Sequence, residues 1–213
     1  MKSNNDTPST TAEFLLQIKA IKLDTEHPFT WSSGLKSPIY CDNRKTLAYP
    51  KIRTYLRQEM VKLISDEFGP IDVIAGVASG AIALGALIAQ ELGLPFCYVR
   101  SAPKQHGLTN VIEGVVEKGQ SVVVVEDLVS TGKSSIGAAI ALRDAGCTVK
   151  GMVAIFTYQM DEAISNFKNA NLLLHTLTDY NALIAKALES GYIAETELQS
   201  LIRWRENPSA WGT

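Results

Sequence analysis

The chain has 213 residues, of which 46% are hydrophobic and 20% charged, and its formal net charge is -2 at pH 7. This composition is ordinary for a globular protein, and the charge argues against a nucleic-acid-binding protein, which needs a surplus of Lys and Arg facing phosphates. The three cysteines are far apart, so neither a disulfide framework nor a zinc site is predicted. The longest apolar run, residues 81–89, is too short to cross a bilayer. We therefore expect a cytoplasmic protein that binds no nucleic acid and no membrane.

The N-terminal part of the chain is predicted to form a helix and a small lobe. Apolar residues recur at helical spacing over residues 11–23. Residues 28–43, PFTWSSGLKSPIYCDN, alternate β-forming residues with Ser, Gly and Pro, which is typical of two short strands joined by a turn. A proline then opens an amphipathic helix over residues 50–68. We place the N-terminal helix and a hood lobe in residues 1–45, and the core with the C-terminal helices in residues 46–213.

Beyond this helix, short runs rich in Val and Ile alternate with helical patterns. Strands are predicted over residues 71–76, 95–100, 121–127 and 148–156, helices over 81–92, 132–145 and 181–203, and residues 171–177 help to complete the domain. Such runs are typical of parallel strands buried on both faces. Right-handed crossovers place their carboxyl ends at one edge, where open α/β sheets bind ligands. The predicted fold class is therefore α/β, with a mostly parallel central sheet flanked by helices and a small N-terminal hood.

Residues 122–135, VVVVEDLVSTGKSS, contain the strongest chemical signal in the chain. The ending GKSS is similar to a nucleotide-binding P-loop, but that motif requires a glycine five positions before Gly132. Asp127 stands at that position. An acid there would repel the phosphate oxygens that the loop must bind, so we reject an ATPase or GTPase of that type.

The same residues predict a site for a sugar phosphate. If residues 122–125 form a buried strand, Glu126 and Asp127 emerge at its end, residues 128–131 form a tight loop, and Gly132 begins a helix whose free N–H groups can bind a phosphate. The hydroxyls that would assist belong to Thr131, Ser134 and Ser135. Carboxylates beside a phosphate need another partner, such as sugar hydroxyls or a divalent metal. We expect a ligand with a phosphate, a ribose and Mg²⁺; the alternative is that the acids are solvated and the small residues cap a helix.

This stretch resembles the phosphoribosyl-pyrophosphate (PRPP) motif of type I phosphoribosyltransferases. Within that family, the chain is similar to the orotate branch from about Phe14 to its last helices. FTWSSGLKSPIYCDNR (29–44) resembles the orotate-binding hood, GVASGAI (76–82) the pyrophosphate loop, and RSAPKQHG (100–107) the mobile catalytic loop. The small residues 76–80 would let backbone amides approach a diphosphate, although a plain glycine-rich turn between strand and helix has the same pattern.

The resemblance implies a type I phosphoribosyltransferase fold and an enzyme that transfers the 5-phosphoribosyl group from PRPP to orotate. The products are orotidine 5'-phosphate and pyrophosphate, in the synthesis of UMP, and the cofactor is Mg²⁺. The family also implies a homodimer with shared active sites. The residues assigned to catalysis are Lys104, His106, Arg100 and Asp127. Those assigned to PRPP are Glu126, Asp127, Leu128, Val129, Ser130, Thr131, Gly132, Lys133, Ser134, Arg100, Lys104 and His106. No residue is assigned as a direct metal ligand.

The chemistry of the reaction explains why these residue types are suitable. Loss of pyrophosphate builds positive charge on the ribose ring and negative charge on the leaving group, so the site must stabilise both. Carboxylates at positions 126 and 127 suit the first need. Arg100, Lys104 and His106 suit the second if an extended loop brings them in and excludes water when it closes. The alternative is that this basic segment is only a solvated loop.

Orotate is a flat pyrimidine with a carboxylate, so its site needs a cation. Arg44 offers bidentate recognition, Lys36 lies close in the hairpin, and Ser130 is placed to reach the base. Phe29 or Tyr40 would supply an apolar wall. A surface salt bridge is the alternative role for Arg44.

Many family members carry cations at four positions where this chain does not. These positions are Ser32, Ser79, Ser101 and Tyr158. Their absence gives Lys36 and Arg44 a larger share of base binding. Two other functions therefore stay open, namely a phosphoribosyltransferase for another base and a PRPP-sensing regulatory protein.

Overall fold

The structure, a computed structural model, describes residues 6–31, 33–100 and 111–211. Its N-terminal part contains helix α1 (Thr7–Gln17) and the strands β1 (Ile21–Leu23), β2 (Phe29–Thr30), β3 (Lys36–Ser37) and β4 (Ile39–Cys41). Strand β2 pairs with β3 in antiparallel orientation, which confirms the predicted hairpin, and β1 pairs with β4. These two strand pairs form the hood.

The first helix differs from its prediction at both ends. It begins earlier, at Thr7, because a proline occupies the first turn, where its missing N–H needs no partner. It ends at Gln17, and Ile21 pairs with Cys41 in β1 instead of continuing the helical pattern. Strand pairing therefore overrides the local helical spacing.

The remaining strands form one six-stranded sheet. They are β5 (Val73–Val77), β6 (Phe96–Val99), β7 (Ile112–Glu113), β8 (Ser121–Val129), β9 (Thr148–Thr157) and β10 (Leu174–Asp179). Their order across the sheet is β10-β9-β8-β5-β6-β7, and β7 pairs antiparallel with β6 while the other neighbours are parallel. The predicted mostly parallel sheet is confirmed.

Helices flank this sheet. They are α2 (Pro50–Phe68), α3 (Ile82–Leu92), α4 (Lys133–Asp144), α5 (Asp161–Asn169), α6 (Tyr180–Glu189) and α7 (Glu195–Glu206), with short 3-10 helices at Asn43–Ala48 and Pro208–Ala210. Helix α1 packs against α6 and β10. The division at residue 45 stays a prediction. Within the described ranges, no helix is both long and apolar enough to cross a bilayer.

Strand β8 is longer than predicted. Residues 122–125 are completely buried, as expected of a strand covered on both faces. The strand continues to Val129 because β9 extends equally far and pairs Phe156 with Leu128. The predicted start of the loop at residue 128 is therefore wrong: residues 128 and 129 belong to the strand, and the loop is confined to residues 130–132.

Among the elements that the sequence analysis does not predict are α5, β7 and the 3-10 helix Asn43–Ala48. Apolar residues at positions 160, 163, 164 and 167 have helical spacing, and α5 buries Ala163 and Phe167, so the signal for this helix was present in the sequence and was missed. Strand β7 has two residues, and the 3-10 helix Asn43–Ala48 follows a strand within a polar segment. Strand β7 and this 3-10 helix therefore depend on tertiary contacts more than on local pattern.

An aromatic cluster attaches the hood to the core. Trp204 of α7 is completely buried, and its ring centroid lies 5.6 Å from that of Trp31 and 5.7 Å from that of Tyr180. Tyr158, which follows β9, lies 5.2 Å from Trp31. The indole N–H of Trp204 also donates to the carbonyl of Lys36 at 3.3 Å. Helix α7 thereby holds the hood next to the carboxyl end of β9.

Candidate active site

The carboxyl ends of β5, β6, β8 and β9 lie at one edge of the sheet because these strands are parallel. The segments that follow them are residues 78–81, Arg100, residues 130–132 and Tyr158. Open α/β sheets bind ligands at this edge. The structure therefore brings the predicted pyrophosphate loop, the first residue of the predicted catalytic loop and the PRPP motif to one place.

The two acids of the PRPP motif are buried and interact with each other. Glu126 is 4% exposed and accepts hydrogen bonds from the Ser135 hydroxyl at 2.9 Å and the Asp127 backbone N–H at 3.0 Å. Burial, with the adjacent charge of Asp127, raises the pKa of Glu126 well above its ordinary value. Burial also raises the pKa of Asp127, but a hydrogen bond with Glu126 and the charge of Arg44 oppose this rise. The pair therefore favours a single proton on Glu126 and a negative charge on Asp127.

Asn43 connects the hood with the acidic pair. Its side chain is buried, and its amide nitrogen donates to the carbonyl oxygen of Asp127 at 2.6 Å. Its amide oxygen accepts a hydrogen bond from the thiol of Cys41 at 3.3 Å. Sequence reasoning missed Asn43, because an Asp-Asn pair after a short strand has the pattern of an ordinary turn.

Asp127 also lies against the backbone of the predicted pyrophosphate loop. A Cβ atom at Gly80 would lie 2.4 Å from the carboxyl atoms of Asp127, so this approach requires glycine. The N–H groups of Ser79 and Gly80 have no hydrogen-bond partner among residues 6–31, 33–100 and 111–211. These amides are suited to bind a diphosphate, and that role stays a prediction.

Helix α5 holds the loop that follows β8. The side-chain amide of Asn166 donates to the carbonyl of Thr131 at 2.9 Å. Gly132 has a positive φ of 79°, and a Cβ atom there would lie 2.7 Å from the ring of Phe167. The turn therefore depends both on glycine and on a helix that the sequence analysis did not predict.

The first turn of α4 leaves N–H groups open. No side chain caps this helix among the residues that the structure describes, and the first N–H groups of a helix have no partner within it. One predicted donor is already engaged, because the N–H of Thr131 donates to the hydroxyl oxygen of Ser130 at 2.6 Å. Lys133 forms an exposed ion pair with Glu162 at 3.2 Å. The amides of Lys133 and Ser134 are therefore better placed for a phosphate than that of Thr131.

Arg100 lies at the carboxyl end of β6, where the predicted catalytic segment begins. Its backbone N–H donates to the carbonyl of Val111 at 2.9 Å, and its guanidinium lies 3.4 Å from the carboxylate of Glu113. Both flanks of the segment are thus fixed at the sheet edge. The predicted residues outside the described ranges are Lys104, His106, Ser101 and Ser32. The roles of Lys104 and His106 stay predictions.

A cleft of about 890 Å³ lies between the hood and the core. Its hood side includes Tyr40, Cys41 and Arg44, and its core side includes Leu128, Ser130 and Tyr158. The volume is typical of small-molecule sites. The cleft adjoins the loop after β8, so one ligand can reach both.

The two predicted orotate cations differ in position. Arg44 lines the cleft, and its Nε donates to Asp42 at 2.7 Å. Its terminal nitrogens have no hydrogen-bond partner within the described part of the chain and are available to a ligand. Lys36 donates to the hydroxyl of Thr30 at 2.8 Å and is not part of the lining among the described residues. Of the predicted aromatic walls, Tyr40 lines the cleft, and Phe29 packs behind it with ring centroids 5.7 Å apart. The geometry therefore favours Arg44 over Lys36 as the cation that would bind the orotate carboxylate.

Comparison with known proteins agrees with this site. The phosphoribosyl transferase domain family matches residues 48–169. A protein from Porphyromonas gingivalis named orotate phosphoribosyltransferase is 54% identical over 201 residues, covering 94% of this chain and 96% of its own. The chain belongs to the orotate phosphoribosyltransferase family. A family member from Phocaeicola vulgatus is 56% identical and covers 94% of each chain.

A solved structure supports the same family assignment. The crystal structure of orotate phosphoribosyltransferase from Aeropyrum pernix superposes with a TM-score of 0.74 at 25% identity, covering 86% of this chain and 99% of that one. The type I phosphoribosyltransferase fold inferred from the sequence is confirmed. The family resemblance drawn from residues 29–44, 76–82, 100–107 and 122–135 is also confirmed.

The contact between Gly80 and Asp127 can be tested by substitution. In Gly80→Ala, the added methyl group would displace the Asp127 carboxylate, and misplacement of about 1 Å at a site can cost about 100-fold in activity. We expect PRPP affinity, measured by isothermal titration calorimetry, to fall at least about tenfold.

The matched control is Gly137→Ala in α4, where a Cβ atom would meet no other atom within 4 Å. That variant should bind PRPP normally and gain about 0.5–1 kcal/mol in unfolding free energy. Wild-type PRPP affinity in Gly80→Ala would show that this contact is not part of the site.

Buried Glu126 predicts a pH-dependent stability. The pKa of Glu126 is higher in the folded chain than in the unfolded chain, so the folded state binds the proton more tightly. The resulting contribution to the free energy of unfolding is complete below pH 4.5, the ordinary pKa. It is lost as the pH rises through the folded-state pKa. Glu126→Gln keeps an acceptor for Ser135 but cannot ionise. Near pH 8, we expect the free energy of unfolding of the variant to exceed that of the wild type by at least about 1 kcal/mol, since a pKa difference of one corresponds to about 1.4 kcal/mol.

Urea unfolding of the ligand-free chain from about pH 5 to pH 8 measures this effect. The control is Glu206→Gln, which changes an exposed carboxylate and should leave the pH profile unaltered. Parallel profiles for Glu126→Gln and the wild type would mean that Glu126 ionises as freely in the folded chain as in the unfolded one.

Proposed function

We propose that the chain catalyses the transfer of the 5-phosphoribosyl group from PRPP to orotate, which yields orotidine 5'-phosphate and pyrophosphate. The observation that carries this proposal is the junction of the acidic strand end, the uncapped start of α4 and the hood cleft at one sheet edge. Family members more than 50% identical to the chain are named for this activity.

The 5-phosphate of PRPP would bind at residues 130–134. The N–H groups at the start of α4 point toward this position, and the helix dipole favours an anion there. Asp127 would accept hydrogen bonds from the ribose hydroxyls and tolerate the positive charge that develops on the ring. Glu126 lies behind it and would keep its geometry through the hydrogen bonds to Ser135 and to the Asp127 backbone.

Negative charge develops on the departing pyrophosphate. The N–H groups of Ser79 and Gly80, which have no partner within the described ranges, follow β5, and Gly80 lies against Asp127. Arg100 begins the adjacent segment. Lys104 and His106 would complete the stabilisation of the leaving group, as the family resemblance implies. In the reaction, the bond from C1 to the pyrophosphate oxygen breaks with its electron pair staying on the pyrophosphate. Orotate N1 loses its proton to solvent or to the departing pyrophosphate and forms the new bond to C1 without a protein nucleophile.

Orotate would occupy the hood cleft. The guanidinium of Arg44 can bind the orotate carboxylate through its two terminal nitrogens because Asp42 occupies only Nε. The Ser130 hydroxyl lines the same cleft, and its oxygen accepts a hydrogen bond from the N–H of Thr131. Its hydrogen donates to no other described residue, so it is available to the base. A base without a carboxylate would gain nothing from Arg44.

The donor set of this edge suits Mg²⁺ bound together with PRPP. The described residues contain no cluster of three or more metal-binding side chains. Mg²⁺ commonly uses one or two carboxylates and fills its remaining positions with substrate phosphates and water. Asp127 is the carboxylate available at the diphosphate position. Bound there, the ion would neutralise charge on the leaving group.

Two further properties follow from the family resemblance. We infer a homodimer in which Lys104 reaches the partner's site, and a cytoplasmic location. Analytical ultracentrifugation with and without PRPP measures the first, and fractionation of cells that produce the chain measures the second.

Orotate consumption tests the proposed function, and Arg44 tests base recognition. The wild-type chain with PRPP and Mg²⁺ should decrease the absorbance of orotate, while uracil and purines should release no pyrophosphate. In Arg44→Ala, loss of a charge-assisted bidentate contact should raise the KM for orotate about 10- to 100-fold and leave the KM for PRPP unchanged within about twofold.

The control is Arg203→Ala, which removes the same charge from an exposed position on α7. Its kinetic constants should match those of the wild type. Pyrophosphate release with another base but not with orotate would replace the proposed substrate, and binding of PRPP without release of pyrophosphate by any base would favour a regulatory protein.

A further inference from the structure

Tyr158 is held rigidly in the wall of the hood cleft. It follows β9, is only 2% exposed and lines the cleft. Its ring centroid lies 5.2 Å from that of Trp31, 5.1 Å from that of Phe156 and 5.8 Å from that of Trp204. With one ring of the hood and two of the core around it, the side chain has little freedom to change position.

The hydroxyl of Tyr158 has no hydrogen-bond partner among the described residues, although neighbouring polar groups do. The indole N–H groups of Trp31 and Trp204 donate to backbone carbonyls, and the nearby Cys41 thiol donates to Asn43. Tyrosine hydroxyls in protein interiors usually find a partner. At the wall of an open cleft, water can satisfy this hydroxyl until a bound ligand supplies the partner.

Tyr180 provides the contrast within the same aromatic cluster. It is buried to the same degree, and its hydroxyl donates to the carbonyl of Leu201 at 3.0 Å. Tyr180 is not part of the cleft lining among the residues described. The cluster therefore contains one hydroxyl that is bonded inside the fold, and one, on a residue of the cleft wall, that has no partner within the described ranges.

The chemical state of Tyr158 determines what it can bind. Burial raises its pKa well above the ordinary value, so the hydroxyl keeps its proton and is an uncharged donor. Its surroundings in the cleft include the apolar side chains of Leu128 and Met160. A neutral donor in apolar surroundings suits a carbonyl oxygen better than a carboxylate, and Arg44 is available for the latter.

We propose that Tyr158 determines base specificity by donating a hydrogen bond from its hydroxyl to a ring carbonyl oxygen of the pyrimidine. This inference rests on the proposed function and deepens it. The loss of such a bond leaves a buried polar group unpaired in the site, which is how binding sites discriminate strongly between analogues. Arg44 would hold the carboxylate, and Tyr158 would distinguish the oxygenated ring from rings that lack this oxygen.

Tyr158→Phe removes the hydroxyl and keeps the ring in place. We expect kcat/KM for orotate to fall about 10- to 100-fold, while PRPP affinity and the thermal midpoint of unfolding stay at wild-type values. Tyr180→Phe is the matched control. It removes a hydroxyl that bonds only within the fold, so it should lower the unfolding midpoint and leave orotate kinetics unchanged.

Orotate analogues that each lack one ring carbonyl oxygen give a second, independent readout. Wild-type protein saturated with PRPP should bind one of the two analogues about 10- to 100-fold more weakly than orotate, measured by competition. In Tyr158→Phe, orotate and that analogue should bind with equal affinity, because the donor that distinguishes them is gone.

The outcomes separate this inference from the proposed function. Normal orotate kinetics in Tyr158→Phe, or an analogue penalty that persists in that variant, would overturn the role of Tyr158 while wild-type turnover of orotate stands. Failure of the wild-type chain to consume orotate would overturn the proposed function and the inference together.

Discussion

Parallel pairing of four strands is the constraint on which the whole site depends. Because β5, β6, β8 and β9 run in the same direction, their carboxyl ends meet at one edge, although residues 78 and 158 are far apart in sequence. Each strand then contributes a different chemical group there: free amides after β5, a guanidinium after β6, carboxylates and a helix start after β8, and a phenol after β9. A strand reversed in direction would remove its group from the site.

The acidic end of β8 has a cost that its neighbours offset. A carboxyl group as buried as Glu126 loses hydration, and the chain compensates with the Ser135 hydroxyl, a backbone N–H and a raised pKa. Asp127 keeps its charge near Arg44 and against Gly80. The two adjacent acids therefore have different tasks: one maintains the geometry, and the other presents the charge.

The hood gives this edge its specificity. It is attached through Trp204 to the carbonyl of Lys36, and through Asn43 to the carbonyl of Asp127. Both connections run from side chains to backbone, so they fix the position of the hood relative to β8 and β9. The cleft between the two parts then depends on α7, an element near the far end of the chain.

Sequence patterns predicted the architecture and the PRPP motif because these depend on strongly local signals. The run of valines in β8 indicates a buried strand, and the two acids that follow it in the sequence indicate carboxylates near the end of that strand. The extension of β8 to Val129 was not predictable, since it depends on how far β9 continues beside it.

Long-range contacts account for what the sequence left out of the site. Asn43 and Asn166 matter because of the backbone carbonyls that they meet on other elements. Gly80 was predicted as part of the pyrophosphate loop, but its approach to the Asp127 carboxylate was not. Of the two hood cations, Arg44 reaches the cleft and Lys36 bonds to Thr30, a difference that strand geometry and not residue type decides.

A sugar phosphate is expected to bind where the carboxylates of β8 lie next to the start of α4. A crystal structure of the chain with PRPP and without a base would show whether it does. We expect 5-phosphate oxygens within about 3 Å of the N–H groups of Lys133 and Ser134, with a ribose hydroxyl at the Asp127 carboxylate. A phosphate bound elsewhere, with these amides facing only water or protein, would contradict it.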